Sequence, residues 1–272
     1  MTLRIAVCHP YLGRGGSEAR ALWLLQALGE KHDPTLITLG PVPLDDLNAY
    51  YGTSLERGDF EFVRPRTGRW SSGPGRLAAL QGAVLRRHAA ARAKHYDLMV
   101  SAYNPIDFGR PGVQFIADFS WLPEVRHDLH GAASSASGRH GGWKRRAYNA
   151  VVRHVGRGAE DWSPERRDVL VANSAYAGRI LEERAGLRAS AVIHPPVAGE
   201  AGGPPAGVRR TDFLSLGRIA PEKRIEEQIA ILREVRARGH DVGLRLCGGP
   251  TEGAYAERIR EIVRAAGGWV CL

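Results

Sequence analysis

The sequence predicts an α/β protein built on parallel strands, and three observations carry that prediction. Short apolar runs alternate with longer stretches of helical period, the pattern of strands joined by crossover helices. Glycine-rich turns at 13–16 and 248–249 come shortly after apolar runs. One stretch, "PPVAGEAGGPPAGVRR" (195–210), is dominated by Pro, Gly and Ala with no periodicity, and it divides the chain in two. The linker is placed at 198–210, between a first domain at 1–197 and a second at 211–272.

The elements follow in order. "LRIAVC" (3–8) is the first strand. Behind it Leu22, Leu25 and Leu28 recur beside Ala21 and Trp23, so 17–30 reads as a core-facing helix, with Ser17 placed to cap it. "TLITL" (35–39), "DLMVSA" (97–102), "VQFIAD" (113–118), "DVLVAN" (168–173) and "SAVIH" (190–194) continue the strand series. The Gly- and Ser-rich basic stretches 66–76 and 131–143 read as mobile loops. After the linker the pattern restarts with "DFLSL" (212–216) as a buried strand. A helix opened by Pro221 and Glu222 follows, with Ile225, Ile229, Leu232 and Val235 on its apolar face. "VGLRLCG" (242–248) and "WVCL" (269–272) are the next two strands, so the second domain is expected to be an incomplete half of a doubly wound fold.

Bulk composition narrows the class. The chain has 272 residues, 43% hydrophobic and 25% charged, enough for a packed core. The N-terminal apolar run is interrupted by Arg4 and is too short for a leader, and no apolar run approaches a membrane span, so a cytoplasmic protein is expected. Cys8, Cys247 and Cys271 are far apart and lie in or beside apolar runs, which suits reduced, buried thiols rather than a disulfide or zinc site. The net charge of +9 favours an anionic partner. Nucleic acid is set aside because no interleaving of aromatic and basic residues accompanies the charge. "KRRAYNAVVRHVGR" is either a solvated helix face or a peripheral contact with an anionic membrane at its inner face.

Two turns are candidate anion sites. Lysine occurs only at 31, 94, 144 and 223 in this arginine-rich chain. Lys223 stands with Arg218 at the carboxyl end of a strand, at the start of a helix, where ligands bind in open α/β sheets. A cation there opposes the helix dipole, so an anion held between Arg218, Lys223 and free N–H groups accounts for it better than helix stability does. The alternative is an ordinary charged turn with Lys223 paired to Glu226 or Glu227. The second candidate is "HPYLGRGGSEARAL" (9–22), where Gly15 and Gly16 permit close backbone approach. Neither turn matches a phosphate-loop or dinucleotide fingerprint.

Taken together, "GRGGSE" (13–18), "VANSAYAGRILEE" (171–183), "VIHPPV" (192–197), "FLSLGRIAPEKRIEEQIAIL" (213–232) and "LRLCGGP" (244–250) occur in an order that resembles retaining glycosyltransferases of family 4. The resemblance spans almost the whole chain, and its most specific part is G-R-x-x-P-E-K. It implies a GT-B fold, two Rossmann-like domains facing a cleft. It also implies transfer of a hexose from a nucleotide-diphosphate sugar to a glycan or lipid-linked acceptor with retention. By resemblance Arg218 and Lys223 hold the donor diphosphate and stabilise the leaving group, so no metal or cofactor is expected. Gly15 and Gly16 match the turn that approaches the diphosphate or sugar, and Gly248 and Gly249 the turn near the nucleoside. Asn173 and Ser174 match the floor of the cleft. Where many members carry a histidine that meets the reacting sugar, this chain has Ala117 and Asp118, and Asp118 is the candidate for a polar role there. The family's carboxylate pair, E-x7-E, is expected beyond Leu272. A non-catalytic nucleotide-sugar-binding module is the alternative.

Overall fold

The computed structural model describes residues 1–66, 77–119, 121–122, 143–156, 162, 167–197, 211–249 and 253–272. The chain forms two compact units, Met1–Gly199 and Glu200–Leu272. The linker expected at 198–210 and the loops expected at 66–76 and 131–143 lie outside the described residues, except for Arg66 and Trp143 at their edges.

In the first unit the described elements are β1 (Arg4–Cys8), α1 (Gly16–Gly29), β2 (Asp33–Ile37), α2 (Leu44–Tyr51), β3 (Glu61–Val63), α3 (Ala78–Arg92), β4 (Leu98–Ser101), β5 (Val113–Ile116), α4 (Trp143–Val155), β6 (Val169–Ala172), α5 (Ala175–Ala185) and β7 (Ala191–Val192). The strands form one parallel sheet in the order β3-β2-β1-β4-β5-β6-β7. Strands β1 and β4 are central and almost wholly apolar along their buried length, as expected when both faces are covered, the exception being Ser101, whose hydroxyl donates to Asn104 C=O. On one face Ile5, Val7 and Leu36 pack with Leu22 and Leu25 of α1 and Leu47 of α2. On the other, Ala6, Cys8, Ile37 and Met99 pack with Leu85 and Ala89 of α3.

From β1 the chain proceeds outward to β2 on one side, and from β4 to β5 on the other, so the carboxyl ends of β1 and β4 flank the switch point of the sheet. The loop after β4 is pinned there by Gln114, a fully buried side chain on β5. Its amide accepts from Ile106 N–H (3.0 Å) and donates to Ile106 C=O (2.8 Å).

The second unit contains β8 (Asp212–Leu216), α6 (Ile225–Ala237), β9 (Gly243–Cys247), α7 (Ala254–Ala265) and β10 (Val270–Cys271), with parallel strand order β10-β9-β8. Both crossovers step the same way, and both helices bury their apolar stripes on one sheet face with Leu244, Leu246 and Val270. This corrects the expectation that β8 is buried. It is an edge strand among those described, and Leu214 and Leu216 on its open face are 65% and 80% exposed. Cys247 and Cys271 are also exposed, and only Cys8 is the buried thiol expected of all three. No described helix is long and apolar enough to cross a membrane.

Candidate functional site

In the second unit the candidate anion turn is built by backbone geometry before any charge is placed. Strand β8 ends at Gly217, whose φ of 154° lies outside the range most side chains tolerate. Its N–H donates to Cys247 C=O at 2.9 Å, and its α-carbon lies beside the Lys223 stem. A Cβ at Gly248 would run into the Gly217 carbonyl, so Gly248 is needed for two backbones to touch, whereas Gly249 faces open space. These contacts hold the carboxyl ends of β8 and β9 together.

The chain then makes a short 3₁₀ turn, Pro221–Lys223, and Arg224 takes a left-handed conformation (φ 51°, ψ 46°) before α6 starts at Ile225. The helix therefore opens four residues later than Pro221 suggests. Lys223 sits in the preceding turn, its N–H bonded to Ala220 C=O at 2.9 Å. The expected local pairings also differ. Glu227 takes Arg224, and Glu222 takes Arg218 (2.9 Å). No hydrogen bond or ion pair is made by the Lys223 ammonium among the described residues. Arg218 is 73% exposed and its partner is also exposed, so their ion pair is weak and open to displacement.

Arg218 and Lys223 line a cavity of about 150 Å³ with Ser215, Gly217, Gln228 and Cys247. This is about half the volume of the smallest usual small-molecule pockets, which suits a diphosphate-sized group rather than a whole nucleotide. Gln228 and Cys247 had no signal in sequence. The first enters by the helical offset from a turn whose end was misplaced, and the second because β8 and β9 are in register.

In the first unit the carboxyl edge of the sheet gathers Gly15, Gly16, Asp118, Asn173 and Ser174. The glycine turn is locked by Tyr51 at the end of α2, a contact absent from the sequence reading. The Tyr51 hydroxyl accepts from Gly15 N–H at 2.6 Å and lies 2.8 Å from Gly13 C=O and 2.9 Å from Gly15 C=O. Gly15, not Ser17, occupies the cap position of α1, and the Ser17 hydroxyl donates to Glu18 at 2.7 Å. The Glu18 carboxylate lies 2.5 Å from where a Cβ on Gly15 would stand, so that glycine makes room for an internal anion. Gly16 has open space beside it.

Asp118 accepts from Tyr103 O–H (3.2 Å) and Asn104 Nδ2 (2.9 Å), while Asn104 Oδ1 accepts from the N–H groups of Ala117 and Asp118. Burial, then the Asp118 charge, raises the Tyr103 phenol to about 12, so it stays a donor. Asn173 donates to Ala117 C=O at 3.1 Å, tying the end of β6 to that of β5. Ser174 caps α5, accepting from Ala177 N–H at 3.1 Å. Among the described residues, no group of three or more His, Cys, Asp or Glu side chains is arranged to hold a metal.

With this geometry in place, comparison with known proteins bears on the fold. No family model and no curated protein matches the chain. A solved structure of Anabaena Alr3699/HepE in complex with UDP-glucose aligns with a TM-score of 0.57 at 14% identity, over 99% of this chain and 68% of that one. The same protein with UDP and glucose aligns with a TM-score of 0.57 at 15% identity, over 99% and 69%. The chain has a GT-B-like fold. Each of its two units is built on a parallel sheet with crossover helices.

Proposed function

We propose that the chain is a glycosyltransferase of the GT-B type, with 211–272 on the donor side and 1–197 on the acceptor side, taking a nucleotide-diphosphate sugar as donor. The observation that carries this reading is the Lys223 ammonium, unpaired among the described residues, beside Arg218 in a diphosphate-sized cavity at a strand's carboxyl end. When the bond from the sugar to the diphosphate breaks, negative charge grows on the leaving phosphate. Two cations gathered at the strand's carboxyl end stabilise that charge once Arg218 exchanges Glu222 for the ligand. Gly249 and Gly16 leave room for close ligand approach.

The family-4 assignment, retention, a hexose donor and a glycan or lipid-linked acceptor rest on the motif resemblance. UDP is the nucleotide to try first, since the Anabaena structure is a UDP-glucose complex. Peripheral contact with an anionic membrane belongs to the same reading, supported by the exposed Arg146, Arg153 and His154 of α4. Asp118 is retained as a polar group of the acceptor side.

Calorimetry with UDP tests the proposal. Lys223→Ala should weaken binding by about tenfold or more, the usual loss for a hydrogen bond to a charged group, with an unchanged circular dichroism spectrum. Equal affinity in the variant would overturn the role of Lys223.

A further inference from the structure

We infer that His9 forms a hydrogen bond with an uncharged sugar hydroxyl, in a cavity at the switch point of the first sheet. The sugar class rests on the glycosyltransferase reading above. The cavity and the histidine do not.

His9 directly follows β1 and is 2% exposed, yet neither imidazole nitrogen has a well-formed hydrogen bond among the described residues, the Tyr11 backbone offering at most a weak one. A buried polar side chain without a partner costs stability, and native structures keep few of them. The imidazole borders a cavity of about 360 Å³ walled by Tyr11, Ser17, Glu18, Pro41 and Tyr103. That space lies outside the carboxyl ends of β1 and β4, the crevice where open α/β sheets bind ligands. Tyr103 stands edge-on to His9 with centroids 5.7 Å apart, and its hydroxyl continues to Asp118. A ligand reaches the buried ring nitrogens by a shift of the side chains around them, and Tyr103 both packs against the ring and borders the cavity.

The surroundings select the ligand's chemistry. Burial, together with the nearby Arg20 charge, keeps the imidazole neutral, with one donor and one acceptor nitrogen. A hydroxyl likewise donates and accepts. An anion would face the Glu18 carboxylate in the wall, and Arg20, buried over the Phe115 ring, adds a positive charge near the imidazole. The prolines and tyrosine rings present apolar surface suited to the C–H face of a sugar. The hydroxyl belongs either to the donor's sugar or to an acceptor sugar.

The test uses the full chain with ¹⁵N-labelled histidine, the His9 signals being assigned by their loss in His9→Gln. Titration with UDP alone should leave them in place. They should move with UDP-glucose or with methyl α-glucoside. His9→Ala should then weaken UDP-glucose by about fivefold to tenfold, with UDP unchanged, if the donor's sugar is held. If an acceptor sugar is held, UDP-glucose binds the variant normally and methyl α-glucoside, followed by calorimetry, binds it more weakly than wild type. His9 signals that ignore both sugar probes, or that respond equally to UDP, overturn the inference. A wild-type chain that fails to bind UDP refutes the donor reading separately, because the methyl glucoside titration does not depend on it.

Discussion

At the residue scale, Arg218 and Lys223 differ in what they already hold. Arg218 is engaged by Glu222, whose carboxylate stands where a ligand's anion would compete, and Lys223 has no such partner among the described residues. Glu222→Gln should therefore tighten UDP binding at low salt by up to about fivefold, the value of a surface ion pair, as read by calorimetry. Weaker binding would mean that Glu222 itself contacts the ligand. His9 makes a prediction about stability. Burial first, and Arg20 after it, lowers its pKa from 6.5 to about 4, opposed by Glu18. Between these values the unfolded chain takes up a proton that the folded chain refuses, so stability falls as pH drops from 6.5 towards 4. The loss attributable to His9 is on the order of 3 kcal/mol. Urea denaturation at pH 7.5 and at about pH 4.5 should show His9→Gln losing less stability than wild type, and equal losses would contradict the buried neutral assignment.

At the element scale, the strands were legible wherever both faces are buried, because "LRIAVC" and "DLMVSA" are apolar without alternation. Strand β3 was missed because only three residues pair, on one side, and only Val63 is buried. The start of α6 was misread because Pro221 is as good an opening for a 3₁₀ turn as for an α-helix, and nothing in "PEKRIEE" announces that Arg224 adopts φ 51°. Ser17 was misread as a cap because its spacing permits the role, but Gly15 takes the cap position and Tyr51 locks the turn across 36 residues of sequence. The left-handed Arg224 gives the test. Arg224→Gly should raise stability by up to about 1 kcal/mol, since glycine bears no penalty there and the exposed pair with Glu227 contributes little. A thermal melt showing net destabilisation would mean that the ion pair outweighs the backbone cost.

At the scale of the whole molecule, motif order foretold the fold better than composition did. Five short motifs in sequence placed two Rossmann-like units in tandem, while charge and hydrophobic content fitted many classes. What order leaves out is contact across strands: Gly248 against Gly217, Cys247 on the cavity wall, and His9 against Tyr103. Cys247 supplies the most direct measurement of the central claim, that the Arg218–Lys223 cavity holds the diphosphate group of a nucleoside diphosphate. It is an exposed thiol lining that cavity, and Cys271, also exposed on β10, is absent from its wall. Alkylation followed by peptide mass spectrometry should show UDP slowing modification of Cys247 while Cys271 reacts at its original rate. Equal reactivity of Cys247 with and without millimolar UDP would contradict the account.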